Sequence, residues 1–137
     1  MDSVVHFEMP YDNRERVAKF YESVFGWQMQ MLGEEMGGYV LATTTETDEI
    51  GPKNPGAING GFFPKQPEEG AQYPSLVIAV EDITLGIKKV SEAGGKILTE
   101  PQEIPGVGQY VSFIDPEGNR LSMLQPIPRN WHAPKVE

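Results

Sequence analysis

An internal repeat restricts this chain more than any other feature of its sequence. Residues 3–9 alternate, with Val5, Phe7 and Met9 on one face and Val4, His6 and Glu8 on the other, the period of a half-buried strand. Pro10 closes that strand. Asn13 has the chemistry of an N-cap, and Val17, Ala18, Phe20, Tyr21, Val24 and Phe25 follow at helical spacing before Gly26 supplies a stop. Strands are expected at 27–32 and 38–44, then an acidic stretch with Pro and Gly over 45–56, then a short strand at 57–63. After a Pro-, Glu- and Gly-rich linker at 64–74, the same order returns. A strand covers 75–80, Asp82 is the N-cap, Ile83, Ile87 and Val90 form the buried stripe of a helix, and Gly94-Gly95 ends it. Further strands are expected near 96–99, 108–114 and 120–125. A shift of 69 residues carries helix 14–25 onto 83–94 and pairs Phe7 with Leu76, Met9 with Ile78 and Gly26 with Gly95. Duplication of this kind implies two similar half-sheets packed as a pair. The expected fold is α+β. Two βαβββ modules, about 3–63 and 75–125, make one domain over 1–137. They form a paired, cupped mixed sheet with the helices outside, a pocket between the halves and an extended tail over 126–137.

Composition narrows the function classes. A chain of 137 residues with 39% hydrophobic and 23% charged residues can bury a core without staples. The net charge of −9, with Lys88-Lys89 the only adjacent basic pair, argues against nucleic acid, whose phosphates need clustered Lys and Arg. No apolar run approaches the roughly 20 residues of a membrane span. The absence of cysteine removes disulfides and thiolate chemistry. Met1-Asp2-Ser3 has no basic, then apolar, signal pattern. These features lead to the expectation of a cytoplasmic protein that binds neither membrane nor nucleic acid.

Several stretches, in order, resemble the vicinal oxygen chelate superfamily, which contains glyoxalase I, extradiol dioxygenases and bleomycin-resistance proteins. Arg16 to Trp27 looks like the family's first helix and its exit, and Asp115-Pro116-Glu117-Gly118-Asn119 like the turn before its last strand. Ala57-Ile58-Asn59-Gly60-Gly61 and Ile104-Pro105-Gly106-Val107-Gly108 look like one subgroup, predicted enzymes related to lactoylglutathione lyase. Each also has a local reading. The Asp115–Asn119 stretch has the composition of a tight turn, and the paired aromatics of 20–25 have core spacing.

The resemblance implies four metal ligands, one on the first and one on the last strand of each module. Carried onto this sequence, those positions are His6, Gly60, Ser75 and Ser122. One imidazole and two neutral hydroxyls cannot hold a divalent ion against water. Gln125 and Glu8 are the nearby alternatives, and neither occupies the usual place. No metal and no cofactor are therefore expected. With His6 facing the pocket, strand parity adds Val4 and Glu8, then Ile58, Gly60 and Phe62, Ser75, Val77 and Ala79, and Arg120, Ser122 and Leu124. The expected ligand contacts are His6, Glu8, Phe62, Ser75, Arg120 and Ser122. His6 and Glu8, about 7 Å apart along one strand face, have the types and spacing of a general acid–base pair; Glu8 could instead be neutralised by Arg120. Tyr21, Trp27, Tyr39, Tyr73 and Tyr110 are candidate aromatic walls, while His132 in the tail is expected to be exposed.

These residues support two main expectations. The first is a metal-independent protein that binds a small organic molecule. The alternative is a glyoxalase-like lyase or isomerase, or a dioxygenase-related enzyme, with relocated ligands or a His6/Glu8 acid–base pair. A third possibility is a protein partner, with the pocket filled by the chain's own side chains. The resemblance adds a homodimer.

Overall fold

A computed structural model describes residues 1–68 and 70–128. Among the described residues, nine strands in a mixed sheet and two α-helices make an α+β fold. By its contacts the chain divides into two compact units, residues 5–77 and residues 1–4 with 78–137. The expected tail is described only through Pro128, so Trp131 and His132 lie outside the described residues. Among the described residues, no helix is long and apolar enough to cross a membrane.

In the unit of residues 5–77, β1 (Val4–Tyr11) leads into α1 (Arg14–Phe25), then β2 (Gln28–Met31), β3 (Val40–Thr43) and β4 (Asn59–Pro64). The strand order is β2-β3-β4-β1, with β4 parallel to β1 and the other pairs antiparallel. Asn13 caps α1 by accepting the Arg16 N–H at 2.9 Å. Gly26 ends α1 at φ 74°, a left-handed turn that a Cβ would strain, and its N–H returns to the Glu22 carbonyl. The buried face joins Val40, Ala42 and Phe62 to Phe7, Met9, Val17, Tyr21 and Trp27. Phe20, Val24 and Phe25, expected to be core from their spacing, are exposed, with the Phe20 and Phe25 rings set against the edge of the cluster at Tyr21.

β5 (Ser75–Ala79) begins in that unit and carries the chain into the other, which holds α2 (Ile83–Glu92), β6 (Lys96–Ile97), β7 (Gln102–Ile104), β8 (Gly108–Ile114) and β9 (Arg120–Pro126). β8 takes β9, β6 and β7 as antiparallel partners. Asp82 caps α2 through the Leu85 N–H, as its sequence position implies. Gln125 does the same for Ile83 N–H at 2.9 Å, so its amide is a helix cap. Ile83, Val111, Phe113 and Met123 form the core between helix and sheet, with Ile87 and Val90 at its edge. The Asp115–Asn119 turn is held by one carboxylate. Asp115 Oδ1 accepts the N–H groups of Glu117 and Asn119 at 2.9 Å, and Asn119 Nδ2 donates to Oδ2. Those bonds, first the Asn119 side chain and then its backbone, pull the Asp115 carboxyl below its usual range.

Candidate functional site: a hydrogen-bonded chain on the first strand

Alternation along β1 sends Phe7 and Met9 under α1 and turns His6 and Glu8 to the opposite face. There Tyr39, one residue before β3, connects them. Its hydroxyl donates to Glu8 Oε2 at 3.1 Å and lies 3.3 Å from His6 Nε2. The space for that phenol comes from β4. Gly61 is paired with Glu8 on one side and Leu41 on the other, and a Cβ there would overlap the Tyr39 ring. Tyr39 thus occupies the volume that any larger residue at 61 would take. Sequence reasoning placed Tyr39 only among possible aromatic walls, and the missing side chain at Gly61 was the signal for its position.

Burial disfavours the imidazolium and lowers the His6 pKa below 6.5, which leaves a neutral ring at pH 7. The unfolded chain then binds more protons than the folded one between the lowered value and 6.5. The stability that neutral His6 contributes is complete above 6.5 and declines as pH falls through that window. Thermal melts from pH 7.5 to pH 5 should show a steeper acid-side decline for the wild type than for His6→Gln; parallel curves would contradict it.

The parity expected for β4 is off by one residue. The register sets Asn59 beside His6 and Gly61 beside Glu8, so Gly60 and Phe62 fall on the Phe7 face. Gly60 lies against the Phe7 ring, and Phe62 is core at 1% exposure with the Tyr21 ring 5.2 Å away, tilted by 42°. The run Gly60-Gly61-Phe62-Phe63 has no apolar alternation, so its pattern does not define which face turns inward. Asn59 organises the preceding loop instead: its Oδ1 accepts Thr44 and Thr45 N–H, and its Nδ2 donates to Thr47 Oγ1.

The Phe7 side of the unit also carries an open cavity of about 450 Å³, within the range of small-molecule pockets. Phe7, Met9, Trp27, Ile58, Pro74 and Leu76 make it apolar, and Thr44 and Ser75 are its polar wall residues. Cavity and His6–Tyr39–Glu8 chain therefore lie on opposite faces of β1.

Two of the expected contacts belong to β9. Arg120 is half-buried at its start, opposite Ile114. Ser122 is 2% exposed and sits in a hydroxyl chain, donating to the Tyr110 hydroxyl at 2.7 Å and meeting Ser112 Oγ at 3.0 Å. Its hydrogen-bonding capacity is used inside the protein.

The donor chemistry does not fit a catalytic metal ion. Of the four positions, His6 is a single imidazole, Gly60 brings no side-chain donor, Ser75 is a neutral hydroxyl, and Ser122 is a neutral, internally bonded one. Among the described residues no three of His, Cys, Asp and Glu come together as an ion site would need.

Strands and helices in the repeated order, with a polar chain on the face away from the helix, define a paired-module α+β protein of the kind that presents side chains from its sheet. Residues 3–123 match the sequence profile of the Glyoxalase/Bleomycin resistance protein/Dioxygenase superfamily, and the chain belongs to that superfamily. A glyoxylase-like domain-containing protein of Didymella fabae is 32% identical over 122 residues, covering 82% of this chain and 84% of that protein. The protein CFP32 of Mycobacterium tuberculosis, which carries a glyoxylase name, is 27% identical over 126 residues; the match spans 89% of this chain and 43% of that relative's length. A "Probable lactoylglutathione lyase" of Vibrio cholerae is 26% identical, covering 89% of each. Among solved structures, the methylmalonyl-CoA epimerase of Mycobacterium tuberculosis superposes with a TM-score of 0.64 at 13% identity, covering 91% of this chain and 88% of that one, a likeness of fold.

Proposed function

We propose that this protein binds a small organic molecule without a metal ion, using His6 and Glu8, joined by Tyr39, as its polar contacts. The observation that carries the reading is the His6–Tyr39–Glu8 chain, which engages the imidazole with a phenol in a superfamily whose metal-dependent members use a ligand set this chain lacks. Elemental analysis of dialysed protein soaked with Zn, Ni, Mn or Fe should find no stoichiometric ion; one tightly held ion per chain would sink the reading.

A small-molecule panel followed by thermal shift should yield compounds that stabilise the wild type. Losing one hydrogen bond of the chain in Tyr39→Phe should weaken their binding about tenfold, roughly 1.4 kcal/mol. If Leu76→Asp abolishes binding while Tyr39→Phe leaves it unchanged, the ligand occupies the apolar cavity instead.

A second reading, a glyoxalase-like lyase or isomerase, is favoured by the same chain, because it sets an imidazole and a carboxylate, two groups that serve in general acid–base catalysis, on one strand face. Hemithioacetal turnover lost in His6→Ala would support it, and unchanged turnover would remove His6 from the reaction. The expected homodimer is supported by the exposed Phe20, Val24 and Phe25 of α1, and a monomer in light scattering would refute it.

A further inference from the structure

The chain on β1 determines which nitrogen of His6 carries the proton. A phenol has one proton to donate, and an ionised carboxylate can only accept. The Tyr39 proton therefore goes to Glu8 Oε2, 3.1 Å away, and the Tyr39 lone pairs face the imidazole. The contact of 3.3 Å at Nε2 is then a bond that His6 donates. A neutral imidazole has a single N–H, so Nδ1 holds a lone pair. Tyr39 is the one hydrogen-bond partner of the His6 ring among the described residues, and Nδ1 is not among the side-chain atoms sealed from solvent without a partner; Gln72 Oε1 is. A bare acceptor in reach of solvent remains.

We propose that Tyr39 is a positioning residue that fixes His6 as its Nε2–H tautomer, leaving Nδ1 as the hydrogen-bond acceptor for a ligand bearing an O–H or N–H group. The proposal rests on the small-molecule reading for its ligand, but the tautomer is a property of the free protein. A ligand that presents only acceptors finds no partner at Nδ1, which sets the class the site selects. Tyr39 needs no contact with the ligand to do this; it acts through the ring it holds.

Long-range ¹⁵N–¹H spectra separate the two tautomers directly, and with only two histidines, His6 and His132, a His132→Gln variant assigns the signals. The wild type should show a protonated Nε2 and an unprotonated Nδ1. Tyr39→Phe should give a mixture of tautomers, and Glu8→Gln, which no longer commands the phenol proton, should do the same while keeping the phenol in place. A wild-type ring protonated at Nδ1, or an unchanged tautomer in both variants, overturns the proposal. Phenol and anisole then test the ligand class as a matched pair. Phenol should move the Nδ1 resonance and anisole should not; equal shifts, or none with phenol, overturn the selectivity. Failure of the small-molecule reading shows up elsewhere, in metal analysis and the thermal-shift panel, and leaves the tautomer result legible.

Discussion

Phe62→Ala should lower the unfolding free energy by about 3–5 kcal/mol, the range for truncating a buried Phe. Phe62 is 1% exposed, closes the cluster with Val40 and Ala42, and packs its ring at a tilt against Tyr21 of α1. Its removal leaves a void that the β1–β4 pair cannot collapse into, because Gly60 beside it already lies against the Phe7 ring. For a chain of this length the melting temperature should fall by roughly 10–20 °C. This measurement also separates the two registers of β4. A Phe62 on the His6 face would lose ligand binding and little stability; a core Phe62 loses stability first. Denaturant titration with a near-normal melt for Phe62→Ala would return it to the ligand face.

Gly61→Ala should break the functional chain while costing less in stability, about 1–3 kcal/mol. The added Cβ would overlap the end of the Tyr39 ring, and a ring end can swing aside more easily than backbone can move. Once displaced, the phenol no longer joins His6 Nε2 to Glu8 Oε2. The variant should therefore reproduce Tyr39→Phe, with about tenfold weaker ligand binding and a mixed His6 tautomer. Gly60→Ala is the matched control. Its Cβ meets the Phe7 ring on the core side, so it should lower stability and leave the His6 tautomer alone. If the two alanines behave alike, the face assignment of β4 is wrong.

Local signals in the sequence carried far in this protein where a residue acts on its own neighbours. Asn13 and Asp82 cap the helices because an Asn or Asp side chain reaches the N–H three residues on, whatever lies beyond. Gly26 stops α1 because it tolerates positive φ. Asp115 builds its turn within five residues. The alternation in β1 was equally legible, since Phe7 and Met9 are apolar and His6 and Glu8 are not. β4 offered no such contrast, so its parity was read one residue out. The short β7 (Gln102–Ile104) and the turn of 3-10 helix at Glu34–Met36 went unforeseen for a related reason: each is too short to show a period.

The residues of the chain on β1 show the same division. His6 and Glu8 could be named as neighbours on one strand face, because two residues of extended backbone fix their spacing. Tyr39 is 33 residues from His6 and 31 from Glu8, and its place depends on Gly61 on a third segment. The sequence by itself determined the two repeated modules, the helix ends and the α+β class, because caps, turns and alternating strands are encoded within a few residues. Only the tertiary structure decided which face of β4 turns inward and what fills the place beside Glu8. Those outcomes follow from strand register and from volume shared between distant segments, and neither leaves a periodic trace along the chain.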